Sequence, residues 1–114
     1  MKPYKKRSPH GKQNHRLHLE HIKESHPHLY RAVKNPTAKA RLGANVTTFR
    51  LKKGMTREQL AARVKIGHHA LRKIEEAHPS SNPRLHVIES LAKVLKVDVL
   101  DLYRFIDLAE SVVR

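Results

Sequence analysis

The sequence predicts an all-α protein: five short helices behind a basic N-terminal extension that is partly helical or disordered. Three observations predict it. From about residue 38 onward, apolar residues recur at spacings of three and four, as one buried helix face requires. No stretch sustains the alternation of period two that marks a half-buried strand. Helix-starting and helix-breaking residues divide the pattern, with Thr37, Gly54, Thr56 and the loop AHPSSNP at 77–83 as the clearest.

Residues 1–13 hold Lys, Arg, Pro, Gly and Ser around a single large apolar group, Tyr4, and read as a disordered arm. HRLHLEHIKES (15–25) predicts a short helix with Leu19 and Ile22 as its apolar contacts, interrupted by Pro27. HLYRAVKN (28–35) adds a turn or two with Leu29, Tyr30 and Val33 for burial. Asn35-Pro36 breaks the chain, and Thr37 is placed to cap the next helix. That helix, 38–53, carries Leu42, Val46, Phe49 and Leu51, and Gly54 closes it. Thr56 and Gln59 form a capping box in which each side chain satisfies a backbone N–H at the start of a helix over about 57–64. KIG separates it from a third helix, about 68–76, with Leu71 and Ile74 inward. After the loop, a helix over about 84–95 buries Leu85, Ile88, Leu91, Ala92 and Leu95. The last, about 99–113, opens at Asp98 with Asp101 and lines up Leu102, Phe105, Ile106, Ala109 and Val113.

The charge narrows the function. The chain holds 24 Lys and Arg against 10 Asp and Glu, a formal +14. Such an excess repels itself and points to a polyanionic partner, nucleic acid first and an acidic membrane surface second. No apolar run approaches the ~20 residues that span a bilayer, and the basic start MKPYKKRSPHGK leads into no apolar segment of a secretory signal. Cysteine is absent, which excludes disulfides and thiolate metal sites and suits a reducing cytoplasm. Residues 1–40 carry 10 Lys and Arg, 2 Glu and six of the ten His, so the N-terminal third is basic and His-rich while the remainder is more balanced.

MTREQLAARVKIGHHALRKIEE (55–76) places two short helical patterns three residues apart, and the second opens on a bare His68-His69 pair. Two such helices joined at a steep angle make a helix-turn-helix. With a leading helix before it, and a Pro-containing loop and two helices after it, the order resembles the Cro/CI-type (XRE) family, the lambda-repressor-like DNA-binding domains. The resemblance covers about 42–103 and rests on the joint spacing of Gly54, Thr56, Leu60-Ala61, Ile66, Leu71, Ile74-Glu75, Pro83, Leu91-Ala92, Leu95 and Val97. Its physical logic is consistent: Ala61 sits where the paired helices cross, and a larger side chain there would push them apart.

The resemblance implies a recognition helix that enters the major groove. His68, His69 and Lys73 match the family's base-contacting positions, with Arg72 beside them. Protonated imidazole and Lys both suit guanine N7 and O6 as donors. Thr56, Arg57 and Gln59 match a helix start over a phosphate, and Arg84 matches a backbone or minor-groove contact. Arg50 and Glu75 match a pair that ties the leading helix to the recognition helix. Three departures stand out: Lys65 replaces a turn Gly, Gly67 replaces a Ser or Thr cap, and Ala77 replaces a Gly after the recognition helix. A non-Gly residue held left-handed costs on the order of 1 kcal/mol.

These readings divide the chain into a basic extension (1–37), a DNA-binding domain (38–104) and a C-terminal helical extension (105–114). The expected function is that of a bacterial or phage cytoplasmic, nucleoid-associated transcriptional regulator of double-stranded DNA, with no catalysis and no cofactor or metal. Phe105, Ile106, Ala109, Val112 and Val113 form an apolar stripe that reads as a homodimer seam, which would set two recognition helices about 34 Å apart on an inverted repeat. The same stripe is open to another reading, packing against the N-terminal extension. The extension itself has three: an arm on DNA phosphates, a partner-binding or dimer-forming segment, or a metal site built on His15, His18 and His21 at i, i+3 and i+6. The alternative function is an antitoxin that binds its toxin through one extension and regulates its own operon.

Overall fold

The computed structural model describes residues 20–112, apart from the side chain of Ala109. Among them every regular element is helical. A helical run at 20–25 leads into α1 (Pro27–Lys34), followed by α2 (Ala38–Lys52), α3 (Arg57–Val64), α4 (His68–Glu75) and α5 (Leu85–Leu95). A 3₁₀ turn (Val99–Tyr103) and a short α6 (Leu108–Ser111) complete the chain. None of these helices is long and apolar enough to cross a membrane.

α2 is the central strut. Thr37 Oγ1 accepts the Ala40 N–H at 3.1 Å and starts it. From Leu42 to Thr48 every residue is buried, because α1 lies on one flank while α4, α5 and the 3₁₀ turn lie on others. The helical run stops at His26, as the expected break at Pro27 requires, and Pro27 then starts α1 at its first position, where its missing N–H has no helical partner to lose.

The buried apolar residues fall into two clusters. The first joins Leu42 and Val46 of α2 to Leu60, Ala61 and Val64 of α3, Leu71 and Ile74 of α4, Ile88, Leu91, Ala92 and Leu95 of α5, and Leu102. The second joins Ile22, Leu29 and Ala32 to Ala40 and Ala44 on the far side of α2, with Tyr30, Ala77, Ile106, Leu108 and Val112 packed against it. Among the residues expected in the core, Val33 is only partly buried and belongs to neither cluster, and Leu51 and Leu85 are exposed. Leu51 lies about 180° around α2 from the Leu42–Val46–Phe49 line, at ~100° per residue, and is exposed. Leu85 sits on the first turn of α5, beyond the reach of the core, and is 65% exposed.

The expected helix over 99–113 is broken. Side chains of α2 take the carbonyls that would have carried it: Asn45 Nδ2 donates to Leu102 O and to Arg104 O, each at 3.0 Å, and Arg41 Nε donates to Tyr103 O at 2.7 Å. Arg104 then turns extended (φ −63°, ψ 148°) and helix resumes only at Leu108. The apolar stripe is therefore not one face of one helix. Phe105 is 71% exposed with the Arg41 guanidinium 4.3 Å from its ring centroid, whereas Ile106 and Val112 pack on the second cluster. Val113 lies outside the described residues, as do His15 and His18.

Four consecutive helices close in one manner. After α2, Gly54 N–H reaches Leu51 O and Met55 N–H reaches Arg50 O. After α3, Ile66 N–H reaches Ala61 O; after α4, His78 N–H reaches Lys73 O; after α5, Val97 N–H reaches Ala92 O. Each closure puts one residue in the left-handed region, and these are Gly54 (φ 69°), Lys65 (65°), Ala77 (54°) and Lys96 (61°). Only the first is glycine.

Candidate nucleic-acid interface

α3 and α4 form a bent pair. The Thr56 capping box is complete: Thr56 Oγ1 accepts Gln59 N–H at 3.1 Å and Gln59 Oε1 accepts Thr56 N–H at 2.9 Å. Both oxygens are thereby committed within the turn. The backbone N–H groups of Arg57 and Glu58 remain at the positions that lack helical acceptors. The Glu58 carboxylate stands at the same helix end, and Oε2 lies 3.6 Å from His68 Nε2. That acid lowers the attraction of this end for an anion.

α4 is seated by Leu71, Ile74 and Glu75, all buried. At ~100° per residue, the opposite direction is held by His69 and Lys73, with Arg72 and Ala70 on its flanks; all four are exposed. His68 lies at the seam with α3, half-buried, its ring 5.5 Å from that of His69. Arg72 Nε is 3.3 Å from Glu76 Oε2 one turn on. Arg84 is exposed as the residue preceding α5, next to Pro83.

Glu75 is the electrostatic centre behind this face. It is 1% exposed, yet carries a carboxylate held by two guanidinium groups. Arg50 binds it with both edges, Nε to Oε2 at 2.8 Å and Nη2 to Oε1 at 3.0 Å, while its Nη1 donates to Met55 O at 2.9 Å. Arg57 Nε donates to Oε1 at 2.8 Å, and its Nη1 lies 3.7 Å from Glu76 Oε2. The pair of Arg50 and Glu75 links α2 to α4, and Arg57 adds α3. Two donors on one buried acid supply the pairing that a desolvated charge demands. Sequence reasoning missed the inward turn of Arg57.

Behind Glu75 sits His28, against Thr48 Oγ1 (3.4 Å) and among His26, Arg31, Arg50 and Glu75. Burial holds it neutral, at a pKa of about 4, and electrostatic interaction with His26, Arg31 and Arg50 acts in the same direction against the opposing pull of Glu75.

Gly43 is a second omission. A Cβ on it would lie 2.5 Å from Ile74 O and 2.6 Å from Glu75 O, so α2 and the end of α4 meet backbone to backbone. A lone glycine inside a helical pattern is the sequence signal for such an approach.

Residues 48–102, just under half of the chain, match the family model for Helix-turn-helix. The chain carries a Cro/CI-type helix-turn-helix domain. The matched segment is thus a helix-turn-helix of the DNA-binding kind, and α4 is its second helix. No curated protein and no solved structure matches the chain.

Proposed function

We propose that the chain is a sequence-specific transcriptional regulator that seats α4 in the major groove, as a homodimer on an inverted repeat. The observation that carries this reading is the two-sidedness of α4: Leu71, Ile74 and the doubly paired Glu75 lock one face, and His69, Arg72 and Lys73 stand exposed on the other. A rigidly seated helix with free donors is what base readout requires. Lys73 and the imidazoles of His68 and His69 would donate to guanine N7 and O6, and Arg72 would reach the same groove. The free backbone N–H groups following Thr56 and the side chains of Gln59 and Arg84 would meet phosphates. Arg57 would serve as a clamp on Glu75 rather than as a phosphate ligand, because its guanidinium already faces two carboxylates. Pairing would use the C-terminal end, where Leu100 and Phe105 are 79% and 71% exposed.

In vitro selection from a random duplex library tests this. A palindromic consensus, bound by two chains per duplex in sedimentation analysis, is the expected result. His69→Ala with Lys73→Ala should then weaken the selected duplex by about 1–3 kcal/mol per lost base contact and leave scrambled duplex far less affected. Equal affinity of wild type for selected and scrambled duplexes would instead mark an architectural nucleic-acid binder.

A further inference from the structure

Three residues that hold the end of α4 lie before residue 48, where the family match begins. Gly43 admits the backbone of Ile74 and Glu75. Arg31 Nη1 of α1 donates to Glu75 O across a long 3.4 Å, and Lys39 Nζ of α2 donates to Pro79 O at 2.9 Å. Between those two carbonyls, left-handed Ala77 packs into the second cluster with Leu29 and Ala32 of α1. The exit of the recognition helix is thus fastened, at consecutive points, to the extension and to the start of α2.

We infer that Arg31 and Lys39 are positioning residues: through Glu75 O and Pro79 O they set the angle at which α4 meets DNA, so α1 of the extension and the first turn of α2 together govern sequence discrimination and not only charge. The inference rests on the proposed function. Its mechanism is that of a supporting shell: base contacts tolerate little misplacement, and the shell decides how much occurs. Since both side chains are cationic, the competing role is direct phosphate contact, and the two roles separate in salt dependence.

The probes are the duplex selected by the wild-type chain and its scrambled counterpart, each titrated with full-length protein across a range of salt. Arg31→Gln with Lys39→Gln should weaken the selected duplex roughly tenfold relative to the scrambled one. The slope of log K against log salt should stay at the wild-type value. Arg31→Lys with Lys39→Arg, which keeps a charged donor at each point, should restore most of the discrimination. An equal loss on both duplexes, with the slope falling by about 0.9 for each lost contact, would make these residues phosphate ligands and overturn the inference. Unchanged discrimination would overturn it as well. Should the double variant lose its helical circular dichroism, Lys39→Gln alone decides: a folded protein with wild-type discrimination overturns the inference. If the wild type itself selects no consensus, the proposed function falls and this inference with it; a clear consensus with indifferent variants sinks the inference alone.

Discussion

Glu75 sets the character of the molecule at the scale of single residues. A carboxylate at 1% exposure is tolerable only because Arg50 and Arg57 both reach it. Arg50→Ala leaves the acid with one partner and should cost about 3–5 kcal/mol, read from chemical denaturation. Gly43 is the steric counterpart. Gly43→Ala forces α2 and α4 apart against backbone atoms, and a loss of about 1–3 kcal/mol is expected. His28 supplies a pH dependence. Its pKa is about 4 in the fold against 6.5 in the unfolded chain, so the unfolded chain takes up a proton first as pH falls. The associated stability is fully present above about pH 6.5 and is lost on descending toward pH 4. His28→Gln should flatten the stability profile across that window in denaturation at a series of pH values. The Arg50–Glu75 match was legible because both residues sit at motif positions. The third member, Arg57, was not, since its position on the first turn of α3 serves a phosphate or a carboxylate equally well.

The helices themselves were largely written in local chemistry. Thr37 and the Thr56–Gln59 box start their helices through their side chains, and Gly54, with no Cβ, closes α2 at a positive φ. The helix predicted over 99–113 failed because its periodicity was real while its carbonyls were claimed from a distance by Asn45 and Arg41, about sixty residues earlier. No reading of local pattern contains that competition. Asn45→Leu should release Leu102 O and Arg104 O without partners and destabilise by about 1–3 kcal/mol, measured by thermal melting. The closures make a prediction of opposite sign. Lys96 holds a left-handed conformation after α5, so Lys96→Gly should stabilise by about 1 kcal/mol, visible as a rise of several degrees in Tm.

For the whole molecule, charge and core act together. With +14 on 114 residues, association with DNA should be fast and steeply salt-dependent. The extension was legible as a basic, partly helical segment, and its Leu29 was correctly expected to be buried. What the pattern could not reveal was the partner surface, because Ala40 and Ala44 look like filler until α1 and the C-terminal segment close over them. Deleting residues 1–36 should accordingly lower Tm as well as weaken DNA binding. Deleting only 1–19, which carry six Lys and Arg, should flatten the salt slope.

The second cluster stitches sequence-distant ends together: Ile22 and Leu29 share their burial with Ile106, Leu108 and Val112. A protease cut after Tyr103 would thus strip the floor from a segment some eighty residues upstream, and with it the brace behind α4. Nicking at one terminus would be felt as a loss of grip at the other, so only an intact chain would hold its target firmly.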